Sequence, residues 1–489
     1  MGLFGFGKKN KQGRESAFEE QDSIKEQDTP FRAGDMVFEI GSVHPWKEQG
    51  SILVGKMMGG ELLPGTKISY LGQNGRRIFD CTVEAIEQNG HSVKKASSCW
   101  LGIYGPVFSL IIKDFAPNAF QGGNLLVRRL AEGEETSPVL TMYEECRMTK
   151  EQEGEVRTVI GKDQLEDAEL EQLSIQEVIF ALACTRDQSN LCRDDAVQAA
   201  KWKEKGDKLY PCLLEKIKTA DAVYLTFDKN TGFPFFNNGI VEVYSKKQYA
   251  ELAVLYYKEQ FRELEVHELS VKPEAEISKE PDKRIPAFAM LYYLGMERVL
   301  VDNGMYRALI GRGDILPPPD YSGLAQTQIP VSNPVLRARM LDFFGEARWK
   351  VNYEKRAEVL QAKELAMLSE LTKSKLLIPM RYDGTAQKKP GENQVVFTKD
   401  TKLMFAVITN AAGENYTPVF TDFTEFGKVY PAKDWGAAVV TIGDAIRVNQ
   451  GVGISVNPTG ENLVLKEKAI EAIKGMLAQG AKESSGTEA

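Results

Sequence analysis

A chain of 489 residues with a net charge of −8 is too long for one hydrophobic core, so several domains are expected. Its 43% hydrophobic and 27% charged residues exclude a fibre or a wholly disordered chain, and the acidic balance disfavours bulk capture of nucleic acid or of an anionic membrane. No apolar run approaches the roughly 20 residues of a transmembrane helix, and six scattered cysteines predict reduced thiols in a cytoplasm.

The amino-acid composition of the N-terminal quarter changes near residue 33. Residues 1–32 are polar and charged, which predicts a disordered leader. Over residues 33–130, short β-branched runs are cut by glycine, and the Asn74-Gly75 and Asn89-Gly90 pairs suit hairpin turns. This segment is therefore predicted to form a small β-barrel.

An acidic helical region is expected over residues 131–217. Residues 144–177 hold eleven acidic and four basic residues, a local net charge of −7. Apolar residues then recur at helical spacing from Ile175 to Leu182. The pattern predicts a solvated linker that continues into helices.

The remainder predicts a repeat of two α+β domains, over residues 218–325 and 372–478. In both segments the sequence predicts the same order of elements: a strand, a hairpin that contains Pro and Phe, a helix, a strand, a second helix, another strand and an Asn/Gly turn. Leucines at helical spacing predict a helical connector over residues 326–371, and residues 479–489 are expected to be a disordered tail. The expected fold class is thus multidomain, an N-terminal β-barrel followed by two α+β domains.

Two segments carry a resemblance to known families. The run Gly50-Ser-Ile-Leu-Val-Gly55-Lys-Met-Met-Gly-Gly60 and the segment Cys81-Thr-Val-Glu-Ala-Ile resemble the second, β-barrel domain of elongation factor Tu-like translational GTPases. The runs Tyr416-Thr-Pro-Val-Phe-Thr-Asp and Gly453-Ile-Ser-Val-Asn-Pro-Thr-Gly-Glu-Asn are similar to the N-terminal domain of the SseB family, named for enhanced serine sensitivity. Residues 218–310 look like a more divergent relative of that domain. The resemblance implies a bacterial protein and a fold rather than an activity.

Residues for catalysis, cofactors or metals are not found in the sequence. The phosphate-binding Gly-x-x-x-x-Gly-Lys-[Ser/Thr] loop of the translational GTPases is missing from all 489 residues. The three histidines, His44, His91 and His267, fall in no catalytic motif, and the spacing of Cys184, Cys192 and Cys212 does not suit zinc. We therefore predict no enzyme activity, no cofactor and no metal.

Three groups of residues are candidate contact surfaces. Residues 33–130 hold ten Lys/Arg and eight Asp/Glu, a local +2 that leaves −10 for the rest, and include the basic pairs Arg76-Arg77 and Lys94-Lys95. In the two α+β domains, an apolar lip and a polar turn are candidates, with core packing and strand termination as the simpler alternatives. These residues are Phe233, Phe235 and Phe236 for the lip, and Asn457, Gly460 and Glu461 for the turn.

The leading hypothesis is a non-catalytic cytoplasmic adaptor of the SseB family that binds a protein partner. One alternative is a ribosome- or RNA-associated factor that acts through the β-barrel. The other is an enzyme or ligand-binding protein of amino-acid (serine) metabolism, for which the sequence nominates no residue.

Overall fold

The computed structural model describes residues 36–485, apart from 48, 73–76, 98–106, 131–137, 238, 260, 273–284, 326–327, 353–354, 384–385, 389–394, 398–400 and 432. The leader expected over residues 1–32 and the candidate residue Arg76 lie outside the described residues. No helix in the described part is long and apolar enough to cross a membrane.

The N-terminal region is an antiparallel β-structure. Its described strands are β1 (Val37–Trp46), β2 (Gly50–Gly59), β3 (Glu61–Leu62), β4 (Lys67–Leu71), β5 (Arg77–Thr82), β6 (Ala85–Gln88), β7 (His91–Ser92), β8 (Ala96–Ser97), β9 (Val107–Ile112) and β10 (Leu125–Arg128). Eight of them form one sheet in the order β5-β4-β10-β1-β2-β9-β6-β7, and β3 pairs with β8 separately. Within the described residues no ladder joins β5 to β7, so the expected closed barrel is not confirmed.

The long β1–β2 hairpin depends on a glycine. A Cβ at Gly55 would lie 2.0 Å from the carbonyl oxygen of Glu39 and 2.8 Å from the Phe38 ring. Only glycine allows the two strands to approach this closely. The Phe38 ring is thereby enclosed in the core of this sheet, together with Ile40 and Leu53.

Five helices follow: α1 (Pro138–Cys146), α2 (Lys150–Gly161), α3 (Asp167–Gln172), α4 (Ile175–Leu191) and α5 (Ala196–Thr219). Lysines of α5 hold α2 and α3 in place by donating to backbone carbonyls. Lys205 Nζ donates to Ile160 O at 2.8 Å, and Lys216 Nζ donates to Glu171 O at 2.9 Å. The acidic segment therefore packs against a basic helix.

The first module consists of α4, α5 and a seven-stranded mixed sheet with its helices, residues 175–315. Its further elements are β11 (Ala222–Asp228), β12 (Phe233–Pro234), β13 (Phe236–Asn237), β14 (Ile240–Tyr244), α6 (Lys247–Glu259), β15 (Leu264–Ser270), α7 (Ala287–Tyr293), β16 (Arg298–Val301), β17 (Ala308–Gly311) and α8 (Arg312–Ile315). Strand β11 pairs antiparallel with β14 and β15, β14 runs parallel to β16, and β16 pairs antiparallel with β17.

The second module covers residues 334–485. It contains α9 (Pro334–Ala347), α10 (Arg356–Lys373), β18 (Lys375–Asp383), β19 (Ala386–Lys388), β20 (Val395–Phe397), β21 (Lys402–Phe405), β22 (Ile408–Thr409), β23 (Asn415–Val419), α11 (Phe423–Val429), β24 (Gly436–Thr441), α12 (Ile442–Val448), β25 (Gly453–Val456), β26 (Leu463–Lys466) and α13 (Glu467–Ser485). Its described strands run β21-β18-β24 and β22-β23-β25-β26, and the bridge Leu377↔Phe420 joins the two orders. Helix α13 continues to Ser485, so residues 479–485 of the expected disordered tail are helical.

The two modules share one topology. The antiparallel pair β11–β15 corresponds to β18–β24, the parallel pair β14–β16 to β23–β25, and the pair β16–β17 to β25–β26. A helical hairpin precedes each sheet, α4–α5 in the first module and α9–α10 in the second. The correspondence therefore includes helices that lie in the segments expected to be a linker and a connector.

Candidate functional site

Equivalent turns follow one strand of the parallel pair in each module, β16 in the first and β25 in the second. Asp302 follows β16 and Asn457 follows β25, and both have positive φ, 54° and 49°. The N–H of Asp302 donates to Val243 O, and the N–H of Asn457 donates to Val419 O, each at 2.9 Å. Asp and Asn are among the few residues that adopt this backbone conformation readily. Both side chains are fully buried.

In the first module, the Asp302 carboxylate organises the turn. It accepts hydrogen bonds from Ser245 N and Ser245 Oγ at 2.7 Å each, and from Gln176 Nε2 on α4 at 3.0 Å. Burial raises the pKa of Asp302 to about 6, while the bonds from Ser245 and Gln176 act against that rise. The carboxylate thus connects α4, β14 and β16.

In the second module, Asn457 makes the corresponding contacts with Thr421. Asn457 Oδ1 accepts from Thr421 N at 3.0 Å, and Asn457 Nδ2 donates to Thr421 Oγ1 and to Glu461 Oε2 at 2.9 Å each. The turn predicted to present polar groups to a partner is therefore turned inward: Asn457 and Glu461 are buried and Gly460 is half-buried. The simpler alternative, a turn that ends a strand, describes these residues.

A buried ion cluster lies next to this turn, which we call the Arg337 cluster: Arg337, Asp422, Glu425 and Glu461. Arg337, on α9, is 4% exposed and approaches the three carboxylates at 3.4 Å (Asp422), 2.8 Å (Glu425) and 2.6 Å (Glu461). Burial opposes the charge of Arg337, but the carboxylates outweigh it and hold the pKa of the guanidinium above its ordinary value. Lys428 reaches Glu425 at 3.0 Å from the solvent side. The cluster with Lys428 has three negative and two positive charges.

Two details show how tightly the Arg337 cluster is packed. Asp422 also caps α11, because its Oδ1 accepts from Glu425 N at 2.9 Å. The other oxygen of Glu425, Oε2, is buried with no hydrogen-bond partner among the described residues, and a Cβ at Gly460 would lie 2.7 Å from it. The carboxylates thus hold α9, α11 and the Asn457 turn together. No group of three or more His, Cys, Asp and Glu side chains that could hold a metal ion occurs in the described part of the chain.

The proposed aromatic lip packs into the protein. Phe235 is buried, and its ring lies 4.7 Å from that of Tyr257 in an edge-to-face arrangement. Phe233 and Phe236 are partly buried and pack against the first module's core. An exposed lip at these residues is therefore wrong, since the hairpin folds back onto its own core.

Several basic residues of the N-terminal sheet are engaged in ion pairs. Arg77 reaches Asp80 at 2.6 Å, and Arg129 reaches the same carboxylate at 3.2 Å. Lys95 pairs with Glu61, whereas Lys94 is exposed. Part of the positive charge that suggested RNA binding is thus neutralised within the protein.

A small cavity, which the sequence did not indicate, lies where the N-terminal sheet, α1, α2 and the first module meet. Its accessible volume is about 20 Å³, room for one water molecule. Arg147 pairs with Glu144 at 2.9 Å and with Glu39 at 3.4 Å, and Tyr306 Oη donates to Glu153 at 2.7 Å. Burial raises the pKa of Glu144 to about 7, against the opposing effect of Arg147. The residues that line the cavity are Glu39, Met58, Tyr143, Arg147, Met148, Glu153, Gln176, Met305 and Tyr306.

Comparison with known proteins identifies one part of the chain. Residues 354–472 match the family model of the SseB protein N-terminal domain, which falls within the second module. No curated protein matches the chain significantly.

Solved structures with local similarity include elongation factors. The crystal structure of bacterial selenocysteine-specific elongation factor EF-Sec is 20% identical, with a TM-score of 0.17, over 24% of this chain and 19% of that chain. The apo form of translation elongation factor SelB from Methanococcus maripaludis is 17% identical, with a TM-score of 0.17, over 20% of each chain. This chain thus spans about a fifth of the length of these structures. Similarity this slight carries no argument about the fold, so the translation-factor resemblance stays a prediction.

Proposed function

We propose that the protein is a non-catalytic cytoplasmic interaction protein and that its second module binds a protein partner. One observation carries this proposal. The second module exposes an aromatic side chain, Phe423, at the position where the first module has a solvent-exposed lysine, Lys247.

In the first module, α1 packs along α6. Val139, Leu140 and Tyr143 of α1 share one hydrophobic core with Tyr249 and Ala250 of α6. That core continues into the N-terminal sheet through Met58 and Leu125. The face of α6 that carries Tyr249 and Ala250 is therefore buried by earlier parts of the same chain, whereas Lys247 at the start of the helix is exposed.

In the second module, the equivalent helix α11 carries an exposed aromatic residue. Thr421 bonds to Asn457 in the same way as Ser245 bonds to Asp302, so Thr421 and Ser245 are equivalent positions. Phe423, two residues after Thr421, therefore occupies the position of Lys247 at the start of α6. Phe423 is 52% exposed. The equivalent position in the first module is a lysine. An exposed aromatic side chain at such a position is typical of a contact with another protein.

The polar groups nearby support binding rather than catalysis. The three carboxylates of the Arg337 cluster are held by one guanidinium, and the Asn457 turn is closed by its own hydrogen bonds. A general acid or base needs a free approach to a substrate proton, which these contacts do not leave. The ion pairs of Arg77, Lys95 and Arg129 favour this proposal over RNA binding through the N-terminal sheet.

The test compares Phe423→Lys, which copies the residue of the first module, with Leu191→Ser. Leu191 is 75% exposed at the tip of the α4–α5 hairpin, so this variant removes a comparable exposed apolar side chain elsewhere. Each protein is used to recover stoichiometric partners from a lysate of the native organism, with quantification by mass spectrometry. We expect wild type and Leu191→Ser to recover the same partner and Phe423→Lys to lose it.

Two results would overturn the proposal. One is recovery of the same partner in equal amount by Phe423→Lys. The other is substrate turnover by the purified protein in a metabolite screen, combined with no stoichiometric partner.

A further inference from the structure

Strand β24 forms a free edge of the second module. It pairs antiparallel with β18 from Lys375↔Thr441 to Met380↔Gly436, and no second strand pairs with it in the described part of the chain. In an antiparallel pair, every other residue directs its N–H and C=O away from the neighbouring strand. Val439, in the middle of β24, is 56% exposed. Edges of this kind are templates for pairing with a further strand.

The equivalent edge in the first module is protected by charge. Strand β15 occupies the position of β24 and carries Glu265, His267 and Glu268. Glu265 accepts from His267 at 2.9 Å, and Lys229 lies 3.8 Å from the same carboxylate. Charged side chains on an edge strand prevent pairing with another chain. Strand β24, Gly-Ala-Ala-Val-Val-Thr, has neither a charge nor a proline.

We infer that β24 pairs antiparallel with β24 of a second copy of the chain, about a two-fold axis, and extends the sheet to β21-β18-β24-β24-β18-β21. In a two-fold contact each residue faces its symmetry mate or a near neighbour, so a charged strand would oppose like charges. The uncharged composition of β24 meets this requirement.

The charges at the two ends of β24 allow the same symmetry. Lys433 and Asp434 precede the strand, and Asp444 and Arg447 follow it. Arg447 pairs with Asp444 within its own chain, at the start of α12. An antiparallel two-fold pairing places the start of one strand beside the end of the other, and each of these ends carries one acidic and one basic residue. A second copy therefore brings no like net charge to either end of the paired strands.

The test measures the mass of the full-length chain by sedimentation velocity and light scattering over about 1–100 µM, a range in which weak dimers dissociate. Val439→Lys places a like charge on both strands near the two-fold axis. Val452→Lys is the matched control, since Val452 is 51% exposed in the same module and lies outside β24. Circular dichroism and the melting temperature check that each variant is folded.

Wild type and Val452→Lys should reach twice the chain mass of 54.5 kDa, and Val439→Lys should dimerise at least about tenfold more weakly. A folded wild-type protein that stays monomeric throughout, or a Val439→Lys variant that dimerises as strongly as wild type, overturns the inference. The partner-capture result for Phe423→Lys is scored separately, so this inference and the proposed function can fail independently.

Discussion

Arg337 is the residue whose removal should most damage the second module. Arg337→Met keeps an unbranched side chain and removes the cation that faces Asp422, Glu425 and Glu461. Three buried carboxylates then share only Lys428, which reaches Glu425 from the surface. Leaving a buried charge without its partner costs about 3–5 kcal/mol, so we expect a loss of that size in the free energy of unfolding of this module.

The assay is urea unfolding monitored by hydrogen exchange of peptides from β23 and β25. These peptides report on the unfolding of the second module alone. Arg447→Met serves as a control because Arg447 is 77% exposed, and this variant should unfold like wild type. Arg337→Lys should recover part of the loss, because a single ammonium restores the charge but not the three-way contact. A loss below about 1 kcal/mol would refute the assignment of the cluster as an ion-paired element of the core.

Two further outcomes concern the equivalent turns. Gly460→Ala places a methyl group 2.7 Å from Glu425 Oε2, whose carboxylate is held by Arg337, and should lower the free energy of unfolding by about 1–3 kcal/mol. Gly427→Ala, with nothing within 4 Å of the new Cβ, should not lower it in the same urea titration. The pKa of Asp302 is raised to about 6, so wild type should lose stability as pH rises from about 4 to about 6. Asp302→Asn, which copies the second module, should show a flatter melting temperature over that window, and an unchanged slope would contradict the role of Asp302.

Local sequence patterns indicate several strands of the two modules, but not β18, the counterpart of β11. The β-branched runs at 222–227 and 240–244 coincide with β11 and β14, and the turn chemistry around Asn457 marks the end of β25. Such patterns are readable because alternation along a strand and turn propensity act over a few residues. The same local patterns suggested an exposed lip at Phe233, Phe235 and Phe236. Local patterns do not show the burial of these residues, because burial depends on residues far away in the chain.

The sequence by itself determined the repeat of strands and helices and the residues available for chemistry, since both depend on local composition. Only the tertiary structure decided what those residues do. Arg337 meets Asp422, Glu425 and Glu461 across 85, 88 and 124 positions of sequence, a grouping that no spacing rule indicates. The tertiary structure likewise decided that α1 covers α6 while Phe423 on α11 stays exposed, and that β24 has a free edge. Contacts of this kind arise from how layers pack on one another, and the free energy that selects the packing is a property of the whole chain.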